Sequence, residues 1–281
     1  YSDGPAAEAA ALFRSAIERD PGFAQAHAGL ASALAVRGVW RIDMRPEEVR
    51  EAVAASERAL ALEPYMPDAY LARAWLSSMQ GSNEAADRDF EEAIRLNPTS
   101  HFSYYLYGRH CFSTGRMEKA VDLYRKAAQF EPDDYQTLGM LVSALQKLGR
   151  HEEALAINEQ SGEAVARRLQ RHPDDVRALL IGAVQAALAG DSQRAIAYGE
   201  RAMIARPDDF STAYNVGCAY AVLGDRERAI ESIARAVRDG RGNLGWIEND
   251  PDLDSLRDDP RFEAIVERLR RATAGTLPAA P

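Results

Sequence analysis

Prolines recur at a nearly constant interval along this chain of 281 residues. Pro64, Pro98 and Pro132 follow one another at intervals of 34 residues, and Pro207 follows Pro173 at the same interval. The two remaining intervals, before Pro64 and before Pro173, are 43 and 41 residues long. A fixed period of this length is typical of chains that stack one structural unit repeatedly, so a repeat architecture is predicted.

Small residues recur in register inside each unit. A glycine follows the first half of each unit, where a helix C-terminus favours a residue without a Cβ. These glycines are Gly38, Gly81, Gly115, Gly149, Gly190 and Gly224. Apolar residues such as Ala120, Leu123, Tyr124 and Ala127 follow helical spacing, and no alternating strand pattern is present. The sequence predicts an all-α fold with two helices per unit and about three quarters of its residues in helices.

The unit that ends at Pro132 also carries a recognisable set of residue types. They are Tyr104, Tyr107-Gly108, Cys111, Gly115, Ala120, Tyr124 and Ala127. This pattern resembles the tetratricopeptide repeat (TPR) family, whose unit is a 34-residue helix-turn-helix. The resemblance implies a right-handed α-solenoid of about six and a half helix pairs, with a groove lined by the first helices that binds a peptide or partner helix.

The predicted TPR array covers residues 1–240, followed by a C-terminal cap at 241–271 and a flexible tail at 272–281. The array consists of a half repeat at 6–21 and repeats at 22–64, 65–98, 99–132, 133–173, 174–207 and 208–240. In the cap, Asp259 and Pro260 are expected to begin a helix, and Trp246 and Phe262 to lie buried under the last repeat. The insertion around Trp40 either lengthens a helix or forms a loop, and Pro46 begins the next helix.

A narrower resemblance concerns the last repeat and the cap. The phrases YNVGCAYAVLGDRERAIESIARAV and WIENDPDLDSLRDDPRF resemble the C-terminal TPR arrays of bacterial multidomain signalling proteins. In those proteins the array follows a nucleotide cyclase, a serine/threonine kinase or a winged-helix domain. The resemblance implies that this chain is the regulatory part of a longer protein. The half repeat at the start leaves an apolar face around Leu12 and Phe13, which is expected to contact another chain or an upstream domain.

Charge and composition exclude several classes of partner. Lys and Arg number 34 against 43 Asp and Glu, a net charge of −9 that repels phosphate backbones and anionic lipid surfaces. The longest apolar run, from Leu179 to Ala189, is about half the ~20 residues of a membrane-spanning helix. We therefore expect no nucleic-acid partner and no membrane partner. Two cysteines do not make a disulfide framework, which favours the cytoplasm.

No pattern of catalytic or metal-ligating residues is evident. Asp250, Asp252 and Asp254 imitate the opening of a calcium loop, but Ser255 replaces its glycine and Arg261 its final glutamate. The histidines lack metal-ligand spacing, the two cysteines are interpreted as small core residues, and nucleotide-binding and hydrolase motifs are absent. The sequence predicts no enzyme activity, no cofactor and no metal.

Partner binding is therefore assigned to the groove. Carrying over the usual groove positions of the TPR family gives Leu71, Trp75, Phe102, Tyr105, Arg109, Phe112, Gln146, Arg177 and Tyr214. Four aromatics around Arg109 have the composition of a binding hot spot, although Trp75 and Phe102 are equally expected to pack between helices. The Lys and Asn of the carboxylate-clamp type of TPR are missing, so the expected ligand is partly apolar, with an acidic group that meets Arg109.

The first functional hypothesis is a non-catalytic protein-binding scaffold. The alternative is an arm that regulates or dimerises an upstream catalytic domain such as a nucleotide cyclase. A weaker alternative is a sensor of a small molecule or lipid, which an apolar pocket rather than an open groove would favour. The sequence leaves the oligomeric state open.

Overall fold

The structure is a computed structural model, and it describes residues 3–39, 44–238 and 243–276. Most of the described residues lie in helices, and the described residues include no strand. The all-α fold class is confirmed. The helices are α1 (Asp3–Arg19), α2 (Ala24–Val39), α3 (Pro46–Leu62), α4 (Pro67–Met79), α5 (Asn83–Leu96), α6 (His101–Ser113), α7 (Met117–Phe130), α8 (Tyr135–Lys147), α9 (His151–Arg171), α10 (Val176–Leu188), α11 (Ser192–Ala205), α12 (Phe210–Val222), α13 (Arg226–Ala236), α14 (Leu244–Asn249), a 3-10 helix (Pro251–Leu256) and α15 (Pro260–Thr276).

The chain divides into two compact units, residues 1–110 and residues 111–281. In the first unit, α2 packs against α1, α3 and α4, and α4 packs against α5. In the second unit, α8, α10 and α12 each pack against the helices that precede and follow them in the chain. Each unit is thus a stack of helix pairs, which is the arrangement that the 34-residue period predicts. The handedness of the predicted solenoid stays a prediction.

Glycine ends five first helices in the left-handed conformation. The backbone φ angle lies between 70° and 81° at Gly81, Gly115, Gly149, Gly190 and Gly224. An L-residue with a Cβ is strained at such angles, so these turns need glycine. The prediction for Gly38 is wrong, because α2 continues through this residue to Val39. The segment around Trp40 lies partly outside the described residues, and α3 begins at Pro46 as expected.

Acidic residues cap several helices at their N-termini. Asp134, Asp175 and Asp209 accept hydrogen bonds from N–H groups in the first turns of α8, α10 and α12. Asp191 and Asp225 do the same for α11 and α13. These N–H groups have no partner within the helix, so a carboxylate there satisfies a donor and lies at the positive end of the helix dipole.

The chain ends in a cap that consists of α14, the 3-10 helix and α15. Phe262 and Leu253 are buried in one apolar cluster with Ile233 of α13, and Trp246 is half-buried against the same cluster. The predicted burial of Phe262 under the last repeat is confirmed, and α15 begins at Pro260 as expected. α15 continues to Thr276, within the segment from residue 272 that was predicted to be a flexible tail, and the flexibility of that segment stays a prediction. Residues 277–281 lie outside the described residues.

Candidate functional site

An open cleft of about 690 Å³ lies in the first unit, between α1, α2, α4 and α6. Its lining is predominantly apolar and includes Phe13 of α1, Val36 of α2, and Phe102 of α6, all of which are half-buried. Leu71 and Trp75 of α4 form the deeper wall and are buried. The structure therefore brings three of the predicted groove residues, Leu71, Trp75 and Phe102, to one cleft.

Two further predicted residues support this wall from behind. The guanidinium carbon of Arg109 lies 5.4 Å from the ring centroid of Trp75 and 5.7 Å from that of Tyr105. Arg109 also donates a hydrogen bond from Nη1 to the Tyr105 hydroxyl over 3.1 Å. Arg109 and Tyr105 are both buried, so an acidic group of a ligand does not meet Arg109 in this arrangement. Contact with two ring faces stabilises the buried guanidinium and holds the Trp75 ring in place.

Ion pairs to α3 fix the helices on the other side of the cleft. Arg37, which lines the cleft, pairs with Glu48, and Arg14 pairs with Glu51 over 2.6 Å. Burial alone would raise the pKa of Glu48. Hydrogen bonds from the Arg45 N–H and from the guanidinium groups of Arg37 and Arg45 prevail, however, and lower this pKa to about 2. Glu48 is therefore charged in the folded protein at neutral pH.

Phe13 illustrates how closely α1 approaches α2. An added Cβ at Gly29 would lie 2.3 Å from the Phe13 ring, so only glycine leaves room for this ring. Leu12, the neighbouring residue, is 66% exposed. The apolar face that the sequence assigned to Leu12 and Phe13 is thus divided: Phe13 turns toward the cleft, and Leu12 faces solvent.

In the second unit, the cap covers groove residues that were predicted to bind a partner. The Phe112 ring packs on Trp246 of α14, with 4.9 Å between the ring centroids. The Tyr214 hydroxyl donates a hydrogen bond to Asp250 Oδ2 over 2.7 Å. Phe112 and Tyr214 are both buried in this arrangement, so a partner does not reach them.

The same segment makes polar contacts along the second unit. Asn249 donates a hydrogen bond to the Ser113 carbonyl at the end of α6, and Lys147 of α8 pairs with Asp254 over 3.2 Å. The 3-10 helix packs against α8 and α12. Gln146 and Arg177, the last two predicted groove residues, are half-buried. They do not belong to the cleft of the first unit.

A buried acidic cluster lies where the cap meets α12. Cys218 Sγ is 3.9 Å from Asp250 Oδ2, and one carboxylate oxygen of Asp252 lies within 4.8 Å of both ligand atoms. Burial, followed by the nearby charges of Asp250 and Asp254, holds the pKa of Asp252 well above its usual range. Asp254 itself is not a member, because it pairs with Lys147 and Arg257. Asp254 therefore does not join Asp250 and Asp252, and the arrangement of the three aspartates departs from that of a calcium loop, as the sequence does.

One Ser, His and Asp arrangement occurs in the first unit. Ser78 Oγ lies 2.7 Å from His110 Nδ1, and His110 Nε2 lies 3.6 Å from Asp87 Oδ1. The imidazole is 1% exposed and packs against the rings of Phe90 and Tyr107. A substrate cannot reach a base enclosed in this way, so the arrangement resembles a hydrolytic triad in residue types alone.

Comparison with known proteins identifies a tetratricopeptide repeat within the chain. A family model described as tetratricopeptide repeat matches residues 79–135, which include α5, α6 and α7. This part of the chain therefore has the TPR sequence pattern. The chain is 28% identical over 105 residues to the small glutamine-rich tetratricopeptide repeat-containing protein 2 of Mycosarcoma maydis. The match covers 37% of this chain and 30% of that relative, so the chain spans less than a third of the relative's length.

Solved structures show the same fold at low sequence identity. The human IFIT1 dimer with m7Gppp-AAAA aligns with a TM-score of 0.65 at 15% identity, covering 96% of this chain and 68% of that one. Pseudomonas aeruginosa pilF aligns with a TM-score of 0.50 at 16% identity, covering 80% of this chain and 97% of that one. TPR proteins are generally scaffolds that bind protein or peptide partners. None of the described helices is both long and apolar enough to cross a bilayer.

Sequence reasoning missed the contribution of α1 and α2 to the cleft. Ala9, Ala33 and Val36 line it, yet none of them was selected, and Phe13 was expected to contact another chain or an upstream domain and not to belong to the groove. The acidic cluster offered no signal, since Cys218 and Asp250 are 32 residues apart and only the folded cap brings them together.

Proposed function

We propose that this TPR protein is a non-catalytic protein-binding scaffold and that the cleft of its first unit receives apolar side chains of a peptide or partner helix. One observation carries the proposal. The first unit leaves an apolar cleft open, whereas in the second unit the chain's own cap covers Phe112 and Tyr214. Partner binding is therefore assigned to Leu71, Trp75 and Phe102, and not to the second unit.

The composition of the cleft defines the chemistry of its partner. Phe13, Val36 and Phe102 are partly exposed and offer contact to one or two apolar anchor residues. Gln25 and Asp68 are exposed at its edge, and Asp68 gives the edge a negative charge. A peptide with a large apolar anchor and a neighbouring basic residue fits this combination. The affinity is expected in the micromolar range that small peptide interfaces reach.

The partner-binding test needs variants that keep the fold. Replacing Tyr105, Arg109 and Phe112 would disrupt buried packing, because these side chains are 1–7% exposed. Ala33→Glu instead places a charge and four additional heavy atoms in the half-buried wall of the cleft. Leu155→Glu, at a position 59% exposed in the second unit, adds the same side chain on an open surface and is the matched control.

The experiment is a pull-down from cell lysate with the wild type and both variants, with circular dichroism to verify that all three are folded. The proposal expects a protein that Ala33→Glu loses and Leu155→Glu retains. A protein that all three capture equally would assign binding to another surface and contradict the use of the cleft.

We also propose that the chain is the regulatory module of a longer bacterial signalling protein. The narrower resemblance of the last repeat and cap supports this proposal. In the alternative, the chain regulates or dimerises an upstream catalytic domain such as a nucleotide cyclase. Turnover of the longer protein with and without residues 1–281 separates the two, because a passive scaffold leaves basal turnover unchanged.

A small-molecule sensor is the second candidate, and the size of the cleft favours it. Ligand pockets are commonly about 300–1,000 Å³ and mainly apolar, and this cleft has about 690 Å³. A fluorescent apolar dye that binds the wild type but not Ala33→Glu, combined with failure of every peptide to displace it, would support the sensor over the scaffold.

The remaining proposals concern partners and compartment. The net charge of −9 supports the absence of nucleic-acid binding, which a gel-shift assay with RNA and DNA at low salt would test. Both cysteines are buried thiols, which supports a cytoplasmic location. Fractionation of cells that produce the natural protein would test this location.

A further inference from the structure

Three potential metal ligands converge where the cap meets α12. Cys218 lies on α12, while Asp250 and Asp252 lie at the start of the 3-10 helix. One ligand atom of each residue lies within 4.8 Å of the other two, and all three residues are buried. The partner-binding proposal uses none of these residues, since they belong to the second unit.

The Asp252 carboxylate is the independent observation that indicates a ligand. Asp252 is 8% exposed, and its Oδ1 is buried without a hydrogen-bond partner among the described residues. A buried carboxylate oxygen without a partner is costly, so native proteins generally satisfy such an atom by a proton donor or a metal ion.

Neighbouring groups orient the second carboxylate. Asp250 Oδ2 accepts a hydrogen bond from the Tyr214 hydroxyl over 2.7 Å, and Oδ1 accepts one from the Asp252 N–H over 3.1 Å. Hydrogen bonds of this kind commonly fix the carboxylates that bind a metal. Tyr214 would then act on the metal through Asp250 and would not bind it directly.

The surroundings make an isolated cluster of negative charge unfavourable. Cys218 and Tyr214 belong to the same apolar cluster as Ile247 and Leu253. If all three groups were ionised without a counter-ion, two carboxylates and a thiolate in such a setting would repel one another with little water to screen them. A divalent cation offsets this repulsion and satisfies the unpartnered oxygen.

We propose that Cys218, Asp250 and Asp252 bind a divalent cation of the zinc type, which fixes the cap to α12. The thiolate favours zinc over magnesium and calcium, which prefer oxygen ligands alone. In a tetrahedral zinc site with Zn–S of ~2.3 Å and Zn–O of ~2.0–2.2 Å, ligand atoms lie about 3.3–3.6 Å apart. The 3.9 Å separation of Cys218 Sγ and Asp250 Oδ2 is close to that spacing, and the Asp252 oxygen, within 4.8 Å of both atoms, needs to approach by no more than about 1.5 Å.

The test uses the full chain, stripped of metal with a chelator, and cobalt(II) as a spectroscopic probe. Cobalt bound to a thiolate gives a sulfur-to-metal charge-transfer band, which directly reports Cys218. The proposal expects this band to saturate at one cobalt per chain and to disappear when zinc is added. Absence of the band in the wild type would overturn the proposal.

Cys218→Ser and Cys111→Ser form a matched pair, because both cysteines are buried and only Cys218 belongs to the cluster. Cys218→Ser should lose the band. It should also weaken zinc binding by more than about 10–100-fold, which is the usual loss of affinity when only a hydrogen bond to a metal ligand is removed. Cys111→Ser should bind as the wild type does. Equal zinc binding by Cys218→Ser would show adventitious binding elsewhere and would overturn the proposal.

Asp252→Asn provides the second test, because the asparagine side chain has nearly the same shape as the aspartate side chain that it replaces. The thiolate remains, so a shifted and weakened cobalt band is expected, together with loss of the zinc-induced rise in Tm that the wild type shows. Zinc affinity and Tm shift equal to those of the wild type would contradict the assignment of Asp252.

Discussion

Replacing Phe262 by Ala tests whether the cap stabilises the second unit. The side chain is 3% exposed and belongs to the cluster that includes Ile233 of α13, Leu253 of the 3-10 helix and Ile247 of α14. Removing the ring forfeits about 1.5–3 kcal/mol of burial. The cavity adds to this cost, because the surrounding residues come from separate elements and close it only partly, so the total should be about 3–5 kcal/mol.

The assay is urea unfolding followed by circular dichroism. With an m value of about 3 kcal/mol per M, a loss of 3–5 kcal/mol lowers the midpoint of the second unit by about 1–1.7 M. Ile204→Ala, at a position 82% exposed in the same unit, should change stability by less than about 0.5 kcal/mol. A Phe262→Ala variant that unfolds within about 1 kcal/mol of the wild type would refute the role assigned to the cap.

Three further variants test local features of the structure. Glu48→Gln should destabilise the first unit by about 3 kcal/mol, because it leaves the Arg37 charge buried without its ion pair. The pKa of Glu48 is lowered to about 2, below the unfolded value of about 4.3, so this difference should be present above pH ~5 and vanish as the pH falls toward 2; a pH-independent difference in urea unfolding would contradict it. Gly224→Ala forces a Cβ into a backbone with φ of 81° and should cost about 1–2 kcal/mol in the same assay, whereas no loss would mean that the turn relaxes. Gly162→Ala, inside α9 with open space around the new Cβ, should stabilise the protein by about 0.8–1 kcal/mol, and destabilisation would show an unrecognised close contact.

The repeat made much of the fold predictable. A period of 34 residues, with glycine at the turns and alanine at helix contacts, determines where helices end and which faces pack. Gly81, Gly115 and Gly224 occupy turns as expected. Gly38 does not, because α2 continues through it to Val39. Periodicity alone could not distinguish a glycine that ends a helix from one inside it.

The site was harder to predict because groove positions are defined by helix register and not by accessibility. Tyr105 and Arg109 were selected by their position in the repeat, yet both are buried, and Arg109 packs on two aromatic rings. Phe112 has the expected register as well, but the cap covers it through Trp246. The contacts of Arg109 with Trp75 and of Phe112 with Trp246 join residues far apart in the chain, and a single sequence contains no record of them.

Selection of peptides on the intact chain tests the central claim most directly. Peptides from a random library that bind the wild type would be measured by titration calorimetry against the wild type, Ala33→Glu and Leu155→Glu. The account predicts peptides with a large apolar anchor and a neighbouring basic residue, which bind the wild type and Leu155→Glu equally and at least about tenfold more weakly to Ala33→Glu, a loss of about 1.4 kcal/mol. Peptides that bind all three proteins with the same affinity would show that the cleft of the first unit is not the binding site.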